Sequence, residues 1–284
     1  MNDHNPEEPV QSPAVDAGRT RDSDGDGGPA RGGIVDTHCH LFLLRDDPAP
    51  VLEAARTVGV DKFVCPGIDP ATSRRSLELA ESFAGVFATA GMHPHHASAF
   101  DERAGAEIEE LLADPRVVAV GECGLDFFRM RSPKDDQERV FRVQIGLARE
   151  AGIPLVVHSR DAWPEILRVL DEGSAERVVL HCFSGDVETA RECVRRGYHL
   201  SFAGNLTYPR NEALRAAAAA IPLERILVET DSPYLAPQRL RGRDNQPANV
   251  VDVIEELALV RGEPIEVVRE ATGTNARAAF PGVG

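Results

Sequence analysis

The sequence lacks the features of membrane, secreted and zinc-finger proteins. No run of apolar residues approaches the roughly 18 to 20 that a membrane-spanning helix needs. A secretory signal has a basic segment followed by an apolar one, and the N-terminus shows no such pattern. The five cysteines include no CxxC pair, which disfavours a disulfide framework or a cysteine-based zinc module. We therefore expect a cytoplasmic protein with reduced thiols and no membrane association.

Lysine and net positive charge are also scarce. Only Lys62 and Lys134 are lysines among the 31 basic residues, and the formal net charge is −15 at pH 7. A protein this acidic lacks the basic surface that holds long duplex nucleic acid through many phosphate contacts. The remaining composition, 42% hydrophobic and 27% charged, is typical of a soluble globular enzyme. Any phosphate contacts would fall mostly to arginine.

The composition changes near residue 32. Residues 1–32 are rich in Pro, Gly, Asp and Ser and show no apolar periodicity, which predicts a disordered acidic tail. Residues 33–284 contain no linker rich in Gly, Pro or Ser, and their length suits one α/β barrel. We expect a single barrel domain after the tail.

In this domain short β-branched segments alternate with longer segments of helical period, as in repeated βα units with a parallel sheet. The predicted strands are 33–37, 62–66, 86–91, 117–122, 154–158, 177–181, 198–202 and 225–229. The predicted helices lie near 49–58, 70–83, 104–113, 135–151, 161–171, 186–196, 211–219, 247–261 and 264–278. No GxGxxG or Walker loop follows the first strand, which disfavours an open doubly wound sheet. The sequence therefore predicts a TIM (β/α)8 barrel.

Histidines and carboxylates cluster at the predicted strand ends, where the active site of such a barrel forms. Side chains alternate faces in an extended segment, so His38 and His40 would project the same way and could grip one metal ion. Taken by itself, this HxH pair could equally be two hydrogen-bonded histidines at the start of a loop that bind no metal. Four of the nine histidines lie at strand ends, however, which favours a metal site. The candidate ligands are His38, His40, Glu122, His158, His181 and Asp231.

Six ligands exceed what one catalytic Zn²⁺ needs, so the sequence predicts two divalent metal ions. Glu122 is the best placed bridge. We assign the first ion to His38, His40, Glu122 and Asp231 and the second to Glu122, His158 and His181. Imidazole and carboxylate ligands suit Zn, Mn or Fe, with Mg less natural at histidine-rich positions.

Two neighbouring cations favour hydrolysis of a phosphoester. They activate a water and stabilise the attacking and leaving oxygens of an in-line displacement. Glu122 and Asp231 are the predicted catalytic residues. Asp231 could accept a proton from the attacking water, or it could serve only as a turn residue in Thr-Asp-Ser-Pro. The same alternation turns Cys39, Cys123 and Cys182 toward the helix layer and predicts that they pack in the core.

Other residues near the predicted mouth suit a phosphate or a base. His93, Arg160 and Asp126 are assigned to the substrate phosphate, whereas His95 and His96 are assigned to a loop. Six further basic residues follow strands on the mouth side and would either contact phosphates or only solubilise loops. They are Arg129, Arg131, Lys134, Arg239, Arg241 and Arg243. Phe127 and Phe128 could stack on a base or pack a loop, and packing is favoured for at least one.

Six motifs together resemble the TatD family of metal-dependent deoxyribonucleases, in the amidohydrolase superfamily. They are Asp-Thr-His-Cys-His-Leu (36–41), Gly-Met-His-Pro-His (91–95), Gly-Glu-Cys-Gly-Leu-Asp (121–126), His-Ser-Arg-Asp-Ala (158–162), His-Cys-Phe-Ser-Gly (181–185) and Glu-Thr-Asp-Ser-Pro-Tyr-Leu (229–235). The resemblance spans about 33–280 and implies a TIM barrel, the same six ligands and a two-metal centre. It also implies hydrolysis of DNA phosphodiester bonds, often from a 3′ end, with single-stranded DNA or strand ends as substrate.

The sequence leaves two alternatives to a nuclease. Members of the superfamily also cleave amides and esters, so a deacylase-like hydrolase of a small substrate is the second hypothesis. Many two-metal relatives bridge their ions with a carboxylated lysine, whereas this sequence has Glu122 at that position. A binding protein that has lost catalysis is the third hypothesis, and the complete ligand set argues against it. No obligate protein partner is evident.

Overall fold

The chain forms eight parallel strands surrounded by helices. The computed structural model describes residues 33–284, so the predicted disordered tail lies outside the described residues. The strands are β1 (Ile34–Asp36), β2 (Val60–Cys65), β3 (Val86–Ala90), β4 (Val117–Asp126), β5 (Leu155–Arg160), β6 (Val178–Leu180), β7 (His199–Phe202) and β8 (Ile226–Val228). The helices are α1 (Pro48–Thr57), α2 (Pro70–Ser82), α3 (Glu102–Leu111), α4 (Lys134–Ala151), α5 (Trp163–Glu172), α6 (Val187–Arg195), α7 (Glu212–Ala220), α8 (Val250–Arg261) and α9 (Ile265–Ala279).

The strands pair in chain order from β1 to β8, and every pair is parallel. The first and last strands meet through the segments that follow them. Thr37 N donates to Val228 O at 3.2 Å, and Asp231 N donates to His38 O at 2.9 Å. These bonds bring the two outer strands of the sheet together into a nearly closed barrel. The predicted TIM barrel is therefore confirmed.

Within residues 33–284 every predicted strand and helix is present, and the boundaries differ by a few residues. The largest difference is at β4. The sequence predicts that this strand ends at residue 122, whereas in the structure it continues to Asp126. This extension pairs with β5 through Gly124↔His158 and Asp126↔Arg160. The pairing matters for the site because it fixes the distance between the two loops that leave these strands.

The two faces of the strands form two apolar clusters. The larger cluster joins strand residues such as Phe63 and Val157 to residues of the surrounding helices. The smaller cluster takes alternate strand residues, including Val64 and Val156, together with residues at the C-terminal end of the chain such as Phe280. Because successive strand residues point to opposite faces, the smaller cluster fills the barrel interior. The active-site end of the barrel is left to polar side chains.

Part of the large acidic content is used to begin helices. The side chains of Asp47, Asp69, Asp101 and Asp186 accept a backbone N–H in the first turn of α1, α2, α3 and α6. An aspartate at this position satisfies an otherwise unpaired donor and faces the positive end of the helix dipole. The net charge of −15 is thus partly structural in origin.

The cysteines are all free, as the sequence predicts. Cys39 and Cys123 are fully buried in the core, where the sequence places them. Cys182 is half-buried, so its predicted place in the core is wrong. In the part of the chain that the structure describes, no helix is both long and apolar enough to cross a membrane.

Candidate metal centre

The carboxyl ends of the strands bring the six predicted ligands into one cluster at the barrel mouth. Three overlapping groups have ligand atoms that all lie within 4.8 Å of one another. These groups are His38–Glu122–His181, His38–His40–Asp231 and His93–Glu122–His158. Most of the side chains are buried, and Glu122 is only 3% exposed. The arrangement therefore has ligands of the right type at the right spacing for divalent cations.

Glu122 lies at the centre of the cluster, and its two oxygens face different histidines. Oε2 lies 3.3 Å from His38 Nε2 and 3.9 Å from His40 Nε2. Oε1 lies 2.9 Å from His181 Nε2 and 3.1 Å from His158 Nδ1. One oxygen of Glu122 is thus turned to each pair of histidines.

The two histidines of the HxH motif converge, although not for the reason the sequence suggested. β1 ends at Asp36, so His38 and His40 lie beyond the strand and strand alternation does not set their direction. The segment that carries the two histidines is instead held by the residues that follow β8, since His40 N donates to Ser232 O at 2.8 Å. The two rings meet edge to face, with centroids 4.9 Å apart.

Asp231 completes the first group from the segment after β8. Its Oδ1 lies 3.4 Å from His40 Nε2 and 3.8 Å from His38 Nε2. The residue has φ +54°, a left-handed conformation that is uncommon outside glycine but tolerated by aspartate. Tyr234 N donates to Asp231 O at 2.9 Å, so the backbone opens a turn while the side chain faces the histidines. The two roles weighed for Asp231 in the sequence are compatible.

The protonation of the carboxylates suits cation binding. Burial by itself would raise the pKa of Glu122, but His181 and His158 hold that pKa well below its usual range. The pKa of Asp231 is also lowered against the effect of burial, because His40, His181 and His38 surround it. Both groups are therefore anionic in the structure.

Some imidazole nitrogens in the cluster have no hydrogen-bond partner among the described residues. These are Nδ1 and Nε2 of His38 and Nδ1 of His40, and all three are buried. A buried polar atom left without a partner costs about 1–3 kcal/mol, so proteins rarely retain one without a use. The residues present therefore fit a bound divalent metal.

The remaining predicted site residues lie beside this cluster. His93 Nε2 is 3.3 Å from Glu122 Oε1, which places His93 among the candidate ligands, while its contact with substrate phosphate stays a prediction. Burial lowers the pKa of His93 to about 3, so its imidazole is neutral. Arg160 is the last residue of β5 and lies at the mouth.

Asp126 has partners that the sequence did not predict. Its Oδ2 lies 2.8 Å from His95 Nε2 and 3.3 Å from His158 Nε2. Its Oδ1 accepts from the backbone N–H groups of Phe128 and Arg129. In the structure Asp126 thus orients a candidate ligand and anchors the β4–α4 loop, while its contact with substrate phosphate stays a prediction. His95 lies in the connection between β3 and α3, in agreement with its assignment to a loop, and its contact with Asp126 was not predicted.

Glu229 was not selected from the sequence, although it stands in the last motif. It is fully buried, and its Oε1 accepts from His181 Nδ1 at 3.1 Å and from Cys182 N at 2.7 Å. A carboxylate on the second nitrogen fixes the tautomer and orientation of a ligand histidine. The same contact keeps Cys182 at the mouth. Loss of solvent around its thiol, reinforced by the nearby Asp231 and Glu229, raises the pKa of that thiol.

We expect Glu229→Ala to weaken metal binding about ten- to a hundredfold, because His181 would lose the partner that orients it. Titration of the metal-free protein with Zn²⁺ or Mn²⁺, followed by calorimetry, measures the change. Glu224→Ala, in the surface turn before β8, is a matched control that should bind metal like the wild type. Equal affinity in the two variants would show that Glu229 has no role in orienting His181.

The basic residues near the mouth divide into paired and unpaired side chains. Arg239 forms an ion pair with Asp252, which removes it from the predicted phosphate-binding set. Arg160 lies 4.2 Å from the ring centroid of Phe128, and Arg241 lies 4.4 Å from that of Tyr208. Neither guanidinium has a carboxylate partner in the described part of the chain. These two remain available to an anionic substrate.

Comparison with known proteins identifies the family. The model of the family described as TatD related DNase matches residues 35–281. The chain belongs to the TatD family. It is 38% identical over 251 residues to the uncharacterized metal-dependent hydrolase YabD of Bacillus subtilis, covering 87% of this chain and 98% of YabD. It is also 38% identical to the 3′-5′ ssDNA/RNA exonuclease TatD of Cronobacter turicensis, covering 82% of this chain and 92% of that protein.

A solved structure agrees with this TatD assignment. The crystal structure of the TatD homologue YjjV from Escherichia coli superposes with a TM-score of 0.82 at 30% sequence identity, covering 87% of this chain and 98% of YjjV. The predicted family is therefore confirmed. This TatD protein is a metal-dependent hydrolase, and its His, Glu and Asp cluster offers candidate ligands for a divalent metal ion.

Proposed function

We propose that this TatD protein hydrolyses phosphodiester bonds at the ends of single-stranded DNA, with two divalent cations in the barrel of residues 33–284. The proposal rests mainly on the orientation of the Glu122 carboxylate. Its Oε1 and Oε2 face two separate sets of histidines. One carboxylate serving two sets of ligands supports two ions rather than one. It supports the predicted division of ligands, with His93 added to the second set.

The first cation would be held by His38, His40, Glu122 and Asp231, and the second by Glu122, His158, His181 and His93. The bound cations would supply activation of a water and neutralisation of charge on the phosphodiester. Zinc, manganese or iron suits this donor set better than magnesium, because most of the donors are imidazoles.

The chain's own residues would complete the reaction. Asp231 Oδ2 would accept the proton of the attacking water, since Oδ1 is the oxygen nearest His40 and His38. Asp231 and His158 are more exposed than the other predicted ligands, with side-chain exposures of 14% and 19%, so they reach the mouth where substrate arrives. Arg160 would contact a phosphate as a planar, permanently charged donor.

Nucleic acid as substrate is supported by both the relatives and the surface. Several relatives are named 3′-5′ ssDNA/RNA exonucleases, including that of Salmonella typhimurium at 37% identity. The net charge of −15 disfavours a long duplex contact, whereas the few unpaired arginines at the mouth suit a short strand end. We also propose a cytoplasmic location, because all five cysteines are free thiols and such proteins favour a reducing compartment.

The proposal is tested by removing metal with a chelator and reloading the protein separately with Mg²⁺, Mn²⁺ or Zn²⁺. We expect end-labelled single-stranded DNA to shorten stepwise only in the reloaded samples, and duplex of the same sequence to resist. Labels at the 5′ and 3′ ends give the polarity. Elemental analysis of the reloaded protein should give about two metal ions per chain.

The same samples distinguish the alternative hydrolase. Release of product from small acylated amides or esters, with intact DNA under every metal, would replace the nuclease by a deacylase-like enzyme. Binding of DNA at one molecule per chain without turnover would point to a protein that has lost catalysis.

A further inference from the structure

The β4–α4 loop presents an exposed aromatic ring beside the metal centre. Phe128 is 57% exposed, although burying a phenylalanine side chain would normally be favourable by about 1.5–3 kcal/mol. The guanidinium of Arg160 lies 4.2 Å from its ring centroid and that of Arg129 lies 5.9 Å away. A cation over one face of the ring holds the ring in place and leaves the rest open to a ligand.

This loop is held rigidly to the predicted metal ligands. Asp126 Oδ1 accepts from Phe128 N at 3.0 Å, and Asp126 Oδ2 is 3.3 Å from His158 Nε2. Phe127 N donates to Arg160 O at 2.9 Å, which continues the β4–β5 ladder into the loop. The position of the ring is therefore coupled through one carboxylate to His158.

The other aromatic rings near the mouth each lack a feature of Phe128. Tyr234 is 53% exposed and its ring centroid lies 5.9 Å from that of His40, but no cation lies over its ring among the described residues. Phe127 is partly buried against the core and has Lys134 3.9 Å from its ring centroid. Tyr208 is partly buried, and its hydroxyl donates to Ala236 O at 3.0 Å. Phe128 thus combines exposure, an arginine partner and proximity to the metal centre.

We propose that Phe128 and Arg160 form a nucleotide subsite next to the scissile phosphate, in which an unpaired base stacks on Phe128 and Arg160 contacts a phosphate. This inference rests on the proposed phosphodiesterase function. A base inside a duplex is already stacked between its neighbours and has no free face, so the subsite selects single-stranded ends. Stacking on an aromatic ring also tolerates any base sequence.

The stacking contact is tested by measuring KM and kcat for two proteins, each on two substrates. The proteins are the wild type and Phe128→Ala, both metal-loaded. The substrates are a single-stranded oligonucleotide and the same strand with abasic residues replacing the last three nucleotides at each end. On the normal strand we expect Phe128→Ala to raise KM about 5- to 100-fold with little change in kcat. On the abasic strand we expect the variant and the wild type to differ less than about twofold, because no base remains to stack.

Matched variants separate this role from a structural one. Phe128→Trp keeps a stacking surface and should restore the KM of the wild type. Leu259→Ala removes a side chain that is 76% exposed on α8 and should change neither substrate's kinetics. Arg160→Gln should raise KM on both strands, since both retain phosphates, whereas Arg177→Gln at the opposite end of the barrel should not.

The outcomes distinguish the two proposals. Equal losses by Phe128→Ala on the normal and abasic strands, with an active wild type, would overturn the stacking subsite and leave the nuclease function intact. A wild type that cleaves neither strand under any metal would overturn the proposed function and the subsite with it. Circular dichroism confirms that each variant is folded.

Discussion

Glu122→Ala is expected to abolish hydrolysis of single-stranded DNA and to lower the bound metal from about two ions per chain to less than one. The reason is that both oxygens of this carboxylate face imidazole nitrogens within 3.3 Å, so its loss removes a ligand from both candidate sets. Losing several kcal/mol of charge stabilisation corresponds to a fall in kcat of about a thousandfold or more. Gel analysis of a labelled strand and elemental analysis of the same sample measure the two effects.

The variant must remain folded for this result to be informative. Glu122 is buried among histidines, so a thermal melt is recorded beside the assay. Glu109→Ala, on the exposed face of α3, is the matched control and should retain full activity and metal. A folded Glu122→Ala protein with wild-type activity would show that the centre does not depend on a bridging carboxylate.

Asp231→Asn is expected to lower kcat about 10²- to 10⁴-fold with little change in KM. The substitution keeps the shape of the side chain but removes the charge beside His38 and His40 and the ability to accept a proton. Single-turnover assays at saturating DNA, with metal supplied in excess, isolate this effect on the chemical step. Asp244→Asn, at a half-exposed side chain after β8, is the matched control and should turn over normally.

Metal content distinguishes the two roles assigned to Asp231. If the variant loses turnover but keeps its metal, the carboxylate acts mainly as a base. If it loses metal and activity together, the carboxylate acts mainly as a ligand. Full turnover in a metal-loaded Asp231→Asn protein would contradict both roles.

Local patterns in the sequence were sufficient for the fold. Each strand and helix has its own apolar period, and this period depends only on neighbouring residues. The repeated alternation then leaves few topologies, because parallel strands need crossover helices and a barrel places all its strand ends at one mouth. For this reason His158 and His181 could be assigned to one site without any knowledge of their separation.

The tertiary structure changed the roles of particular residues. His95 lies in the connection between β3 and α3, and the sequence did not predict that its ring lies 2.8 Å from Asp126 at the end of β4. The sequence left Arg239 available to a phosphate, whereas in the structure it pairs with Asp252 on α8. Cys182 looked like a core residue, yet its backbone has φ +44° and it stays at the mouth. The periodic pattern of apolar residues along the chain gives no information on these contacts.

The sequence by itself determined the barrel, the family resemblance and the six residues of imidazole and carboxylate type at the strand ends. Only the tertiary structure decided which oxygen of Glu122 faces which histidine, that Glu229 orients His181, and that Phe128 is left exposed beside Arg160. The physical reason is distance along the chain. Residues such as His181 and Glu229 meet across 48 positions, and such contacts depend on strand register and barrel closure, which no local pattern encodes.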